Sequence, residues 1–311
     1  MVNGFQNKTY MSLSGKKIII GVDIGGTGIK AGAINSDGEV IGKPVIADTG
    51  ANDESEKIFK RITDIIDKVI QKSGVGTPDI TGIGLGVTGP LDNNTGTILE
   101  CPQLPTMHFY PLRDKILSKY KLPVFMDNDA NALLLGESIW GAGKGCGITL
   151  GYTLGTGLGC AIVIDNKLFS GTNGLAGEIW PSPYKNGSIE DIVSGKGVSS
   201  IYHSLSKKLK TAKEISELAR EGDVNAIETW NIFGCTLGIA IAWGINMIDP
   251  GIVIIGGSIS NSMDLFYNSM DVEIRKNICP VPASKVKIVN ASLGDNAGFI
   301  GAACLVMQGK I

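Results

Sequence analysis

Apolar runs of strand length, separated by turn residues, open the chain. Ile18 to Ile24, Gly28 to Asn35 and Glu39 to Ala47 read as three strands, the last two joined by the hairpin signal Asp37-Gly38. The spacing then changes: Ile58, Ile62, Ile65, Ile66, Val69 and Ile70 share one face of a helix, which Gly74, Gly76 and Pro78 stop. A strand is predicted over Ile80 to Val87, then a turn-rich loop through Gly89, Pro90, Asp92, Asn93, Asn94 and Gly96, a short helix at Leu112 to Tyr120 and a strand at Val124 to Met126. From Asp127 the theme repeats, with a helix at Ala130 to Trp140, strands around a second glycine turn, a helical block from Ile189 to Ile248, a strand at Ile252 to Ile255 and a last helix from Ala297 to Met307. This repetition predicts two domains: a small one of residues 16–126, onto which 297–311 packs back, and a large one of 127–296. Residues 1–15 are polar, lack the apolar core of a signal peptide, and are expected to be a loose N-terminal extension.

Both halves carry the same local object. Gly21-Val22-Asp23-Ile24-Gly25-Gly26-Thr27-Gly28-Ile29-Lys30 and Gly151-Tyr152-Thr153-Leu154-Gly155-Thr156-Gly157-Leu158-Gly159 each join two apolar runs through glycine and threonine. Such a turn lets backbone N–H groups approach an anion with no Cβ in the way, and threonine adds a hydroxyl donor. Two of them are expected to act as jaws on one polyphosphate. Other phosphate motifs fit less well. No G-x-x-x-x-G-K-[ST] occurs, and the G-x-G-x-x-G at Gly84 to Gly89 runs into Pro90 and a turn cluster instead of a helix.

Composition narrows the class. A chain of 311 residues, 43% hydrophobic and 19% charged, is a folded protein with room for two cores. A net charge of −2 gives no footprint for nucleic acid. The most apolar helical stretch, Phe233 to Ile248, is shorter than the roughly 20 residues that span a bilayer, so it is expected to be a buried helix and no membrane partner is expected. The six cysteines, Cys101, Cys146, Cys160, Cys235, Cys279 and Cys304, form no C-x-x-C pair, which indicates neither a zinc site nor a disulfide framework and fits reduced thiols in the cytoplasm.

Several motifs, in order along the chain, resemble the ROK family of sugar kinases and related repressors, within the actin-like kinases. They are Asp23-Ile24-Gly25-Gly26-Thr27, Gly86-Val87-Thr88-Gly89-Pro90, Asp127-Asn128-Asp129-Ala130-Asn131, Gly141 to Gly145, Gly155 to Gly159, Gly174-Leu175-Ala176-Gly177-Glu178, and Pro250-Gly251 through Gly256-Gly257-Ser258. The resemblance runs from about Lys17 to Gln308 and implies an α/β chain with a duplicated actin-like (ribonuclease H-like) ATPase fold, two domains around a central cleft.

It also implies site roles. ATP and Mg²⁺ are the expected cofactors, the reaction being phosphorylation of a hexose or hexose-derivative hydroxyl, the 6-hydroxyl by analogy with glucokinase. Asp23 would hold Mg²⁺ directly or through water. Gly25, Gly26, Thr27 and Lys30 would line one side of the phosphates and Gly155, Thr156 and Gly157 the other, with Gly256 and Gly257 under adenine and ribose. Asp129 would be the base; a helix N-cap is the alternative use of an Asp there. Gly89, Gln103, Asn128, Asp129, Glu178 and Glu190 would face the sugar, with Asp191 competing for the place of Glu190. A homodimer is implied by resemblance.

The sugar half departs from the family. Where members read G-E-x-G-H, this chain reads Gly177-Glu178-Ile179-Trp180-Pro181, without the histidine that contacts sugar and joins a zinc site. Tyr184-Lys185-Asn186-Gly187-Ser188 replaces the zinc motif, so no zinc site is expected, and Gln103 replaces the asparagine of P-N-L-P. Three alternatives stand beside the ATP-dependent kinase: a polyphosphate-dependent glucokinase, a catalytically silent sugar-binding regulator, and a repressor. The repressor needs a helix-turn-helix ahead of the first strand, where about fifteen residues stand.

Overall fold

The computed structural model describes residues 17–74 and 79–309. The extension expected at 1–15 lies outside the described residues, as do Gly76 and Pro78 of the expected helix stop. The chain divides into two compact units, Met1–Asp129 with Gly298–Ile311, and Ala130–Ala297.

The first unit is built on a five-stranded sheet in the order β3-β2-β1-β4-β7, from β1 (Ile18–Ile24), β2 (Gly28–Ile34), β3 (Val40–Asp48), β4 (Ile80–Val87) and β7 (Val124–Asn128). β1 pairs antiparallel with β2 and parallel with β4, which pairs parallel with β7. The hairpin β5 (Leu91–Asp92) and β6 (Thr97–Ile98) follows β4. Alternation sends Ile18, Ile20, Val22 and Ile24 to one face, where they join Ile58, Ile62, Ile65, Ile66 and Val69 of α1 (Ser55–Ser73) and Leu112 and Ile116 of α2 (Leu112–Tyr120). Gly74 ends α1 in the left-handed region, φ 66°.

The other face of the sheet is stripped for close approach. A Cβ on Gly21 would lie 1.8 Å from the Phe299 carbonyl oxygen, and one on Gly84 would lie 1.8 Å from that of Ala302. Backbone of the last helix therefore rests directly on β1 and β4.

The second unit repeats the plan. Its sheet runs β10-β9-β8-β13-β14, from β8 (Ile148–Leu154), β9 (Leu158–Ile164), β10 (Lys167–Leu168), β13 (Ile252–Gly256) and β14 (Lys287–Asn290). The pairings reproduce the first unit: β8 is antiparallel to β9 and parallel to β13, and β13 is parallel to β14. This duplication of a mixed sheet with helices is the actin-like α/β architecture. α3 (Asp129–Ile139) precedes this sheet, and the small hairpin β11 (Pro183–Tyr184) and β12 (Gly187–Ser188) precedes α4 (Gly195–Ser206), α5 (Ala212–Arg220), α6 (Val224–Ile248), α7 (Met263–Asn277) and the short α8 (Pro280–Lys285). The last helix, α9 (Ala297–Gln308), returns to the first unit. Ser194, Thr211 and Asp223 cap α4, α5 and α6 with side-chain oxygens. Trp230, Phe233 and Phe266 pack ring on ring in the core.

Three boundaries differ from the sequence expectation. The helical block starts at Gly195, because residues 189–194 turn back on the sheet before Ser194 caps α4. β7 continues to Asn128, and α3 begins at Asp129. α6 has 25 residues and is long and apolar enough to cross a membrane by length and composition alone; Asn225, Glu228 and Asn231 interrupt the apolar run in its first turns. Its Ala226, Trp230, Phe233, Leu237, Ile241 and Ile245 are spent on the core.

Candidate active site

Parallel strands in the first unit bring carboxylates to their C-terminal ends. Asp23 of β1 is in register with Gly86 of β4, and Gly86 with Asp127 of β7. Asp129 follows in the first turn of α3. Burial is the largest cause, and the negative charge of Asp129 the next, that push the Asp23 carboxyl up from the ordinary 3.8 to about 7; Lys30, its partner across β2, pulls it down. The carboxylate rests against the first turn of α9, where a Cβ on Gly298 would lie 2.2 Å from Asp23 Oδ2. Gly298 carried no signal in the sequence, since its importance comes from a residue at the other end of the chain.

The first glycine turn is held internally and from behind. The Gly25 N–H donates to the Gly28 carbonyl at 2.9 Å. Thr49, fully buried after β3, donates its hydroxyl to the Gly25 carbonyl at 2.7 Å and its N–H to the Thr27 carbonyl at 3.1 Å. Sequence reasoning missed Thr49, which lies in no motif. Gly26 abuts Gln103, whose Oε1 accepts from the Cys101 thiol at 3.4 Å. Gly89, at φ 94°, accepts from Asn128 Nδ2 at 3.3 Å, and Asp127 Oδ1 accepts the Asn128 N–H at 2.8 Å. The first unit thus gathers Asp23, Gly25 to Thr27, Lys30, Gly89, Gln103, Asn128 and Asp129 at one end of its sheet.

The second unit gathers the rest by the same topology. Its glycine turn closes with the Gly155 N–H on the Gly157 carbonyl at 3.1 Å. Glu190 reaches this turn: its Oε2 accepts the Leu158 N–H at 2.8 Å. Asp191 instead spends its carboxylate on the Ser188 N–H at 2.7 Å within its own hairpin, which holds its pKa below the usual range. Glu178 stands on the 174–178 turn, where its N–H donates to the Leu175 carbonyl at 3.3 Å. Burial pushes the nearby Cys160 thiol up to about 12, with the charge of Glu178 adding to it. Trp180, half exposed, holds the place next to the absent histidine.

Gly256 and Gly257 have a packing reason of their own. Gly257 sits at φ 85°, and a Cβ there would lie 2.3 Å from the Leu154 carbonyl oxygen; one on Gly256 would lie 3.2 Å from Leu133 Cδ2. The end of β13 needs glycine at 257 to pack on β8, whether or not a nucleotide passes over it, while Gly256 is only closely approached by α3.

A metal would have few protein ligands here. Among the described residues no group of three His, Cys, Asp or Glu stands together. A carboxylate whose proton affinity is raised by burial and by a second carboxylate fits a hard cation that keeps most of its shell as water, so Asp23 would gain from one.

Comparison with known proteins agrees with this geometry. The glucokinase of Halalkalibacterium halodurans is 33% identical over 93% of this chain and 94% of its own. The ROK hexokinase from Thermus thermophilus superposes with a TM-score of 0.83 at 26% identity, over 94% of this chain and 98% of its own. A ROK family glucokinase from Streptomyces griseus, solved with glucose and AMPPNP, superposes at 0.78 with 30% identity over 94% of this chain and all of its own. The family model for ROK matches residues 19–309, and the chain belongs to the ROK family.

Proposed function

We propose that this protein is a sugar kinase that transfers the γ-phosphoryl group of ATP to a hydroxyl of a hexose or hexose derivative. The observation that carries it is the carboxylate pair of Asp23 and Asp129, Asp23 raised to about 7 by burial and by the charge of Asp129, beside a phosphate turn fixed by Thr49. A family relative that binds glucose and AMPPNP supports the substrate pair.

In the proposed reaction the sugar hydroxyl attacks the γ-phosphorus in line, the new O–P bond forming as the bond to the ADP oxygen breaks. Asp129 accepts the hydroxyl proton, a contribution of about 10²–10⁴ in rate. Asn128, tied to the Gly89 carbonyl, orients the sugar. Gly25 to Thr27 and Gly155 to Gly157 donate backbone N–H groups to phosphate oxygens. Lys30 lies opposite Asp23 in the strand register, so its positive charge serves Asp23 first. Mg²⁺ held by Asp23 supplies positive charge to the phosphates when bound. Magnesium dependence, 6-hydroxyl selectivity, a homodimer and a cytoplasmic location belong to the same proposal.

The test is an ADP-release screen across hexoses, N-acetylhexosamines and ketoses, beside Asp129→Asn, repeated with polyphosphate as donor and sugar phosphate as the readout. At least one sugar is expected to stimulate ADP release, with a loss of about 10²-fold or more in the variant. No stimulation above the background shared by Asp129→Asn would leave a silent sugar binder in place of a kinase. Sugar phosphate formed from polyphosphate but not from ATP would reassign the donor.

A further inference from the structure

Each phosphate turn holds a glycine with no room for a side chain, and in each unit a residue assigned to the sugar takes up that room. In the second unit a Cβ on Gly157 would lie 2.5 Å from Glu190 Oε2 and 3.3 Å from its Cδ. That same oxygen accepts the Leu158 N–H at 2.8 Å. A second strap joins the same two segments, the Gly195 N–H donating to the Gly155 carbonyl at 2.8 Å. In the first unit a Cβ on Gly26 would lie 3.0 Å from both Cβ and the carbonyl oxygen of Gln103. Not every turn glycine is so confined: the nearest atom to a Cβ on Gly155 is Ser258 Oγ at 3.9 Å.

We propose that Glu190 couples the two substrates, its carboxylate seating the second phosphate turn through Leu158 while its other oxygen receives a sugar hydroxyl. This rests on the sugar-kinase assignment above. The charge of the carboxylate sets the direction. Glu190 places negative charge directly behind a turn that must receive a polyphosphate, and this opposes donor binding. Among the described residues Oε1 accepts no hydrogen bond. A sugar hydroxyl donated to it spreads and offsets that charge. Sugar binding therefore raises donor affinity, and by reciprocity the donor raises sugar affinity by the same factor. ATP bound without sugar is held more weakly, which limits its hydrolysis.

The experiment is calorimetric titration of the full chain with AMPPNP, without sugar and with a saturating concentration of the sugar most active in the ADP-release screen. Wild type is expected to bind AMPPNP about 5-fold to 100-fold more tightly with sugar present, the usual range of such coupling. Glu190→Gln keeps an oxygen for the Leu158 N–H and removes the charge. It is expected to bind AMPPNP more tightly than wild type without sugar, and to show less than a twofold effect of sugar. Gly157→Ala gives a second readout: its Cβ displaces the Glu190 carboxylate, so a substitution in the phosphate turn is expected to weaken sugar binding at least tenfold. Gly147→Ala, outside the turn and with Asp165 Oδ1 at 3.7 Å as the nearest atom to its Cβ, is expected to change sugar affinity less than twofold. Equal coupling in wild type and Glu190→Gln overturns the inference, as does independent binding of sugar and AMPPNP to wild type. Absence of any sugar binding to wild type overturns the sugar-kinase assignment, and the coupling with it.

Discussion

Gly298→Ala adds a single methyl group that touches one functional group. The new Cβ would lie 2.2 Å from Asp23 Oδ2, 2.5 Å from its Cγ and 3.0 Å from its Cβ. Ordinary contact needs the carboxylate to retreat by roughly 1 Å. α9 is poorly placed to yield, because its Phe299 and Ala302 carbonyls are already against Gly21 and Gly84. Overpacking of this kind costs about 1–3 kcal/mol, while replacing glycine by alanine within a helix returns up to about 1 kcal/mol. Stability is therefore expected to fall by no more than about 3 kcal/mol. Activity is expected to fall much further, since a displacement of about 1 Å at a catalytic constellation costs on the order of 10²-fold. The assays are kcat and KM by coupled ADP release at saturating magnesium, and the unfolding midpoint of the same preparation. A double-mutant cycle with Asp23→Ala isolates the contact: with the carboxylate gone and only the 3.0 Å contact to Cβ left, most of the stability penalty of Gly298→Ala is expected to disappear. A kcat within threefold of wild type, or an undiminished penalty in the Asp23→Ala background, would refute the assignment of Gly298 as the residue that places Asp23.

Two further outcomes follow from buried carboxylates. Because the Asp23 pKa is raised, the folded chain holds a proton that the unfolded chain has released between about pH 4 and 7. Stability from this group is fully present below pH 3.8 and lost as pH rises to about 7, by about 4 kcal/mol at about 1.4 kcal/mol per unit. Asp23→Asn in chelator is therefore expected to gain on wild type between pH 5 and pH 8 in thermal melts, and parallel pH profiles would contradict the burial argument. Glu137, fully buried in the second unit, accepts the Ser292 and Leu293 N–H groups at 2.8 Å each, the Ala142 N–H at 2.9 Å and the Ser292 hydroxyl at 3.1 Å. Glu137→Ala orphans these donors and is expected to cost about 3–5 kcal/mol in denaturant unfolding; a loss below about 1 kcal/mol would show that water satisfies them.

Much of the architecture was legible because its signals are local. Alternation at Ile18 to Ile24 and the helical spacing of Ile58, Ile62, Ile65 and Ile66 depend on near neighbours, and the structure places β1 and α1 there. The ordered motifs gave the family for the same reason, each being a short string around a turn. The start of α6 is not visible as an apolar run because Asn225, Glu228 and Asn231 interrupt its first turns.

The contacts that shape the candidate site have no local signature. Thr49 fixes the first turn from 24 residues away, and Glu190 holds the second turn from 32 residues away. Gly298 makes room for Asp23 across almost the whole chain, once α9 has settled on a glycine-lined sheet face. A turn's residue types specify that a backbone can bend and offer N–H groups. Which side chain stands behind that backbone depends on which faces meet when distant strands and helices pack, and that is where Glu190 parts from Asp191, one position along the chain but committed to its own hairpin.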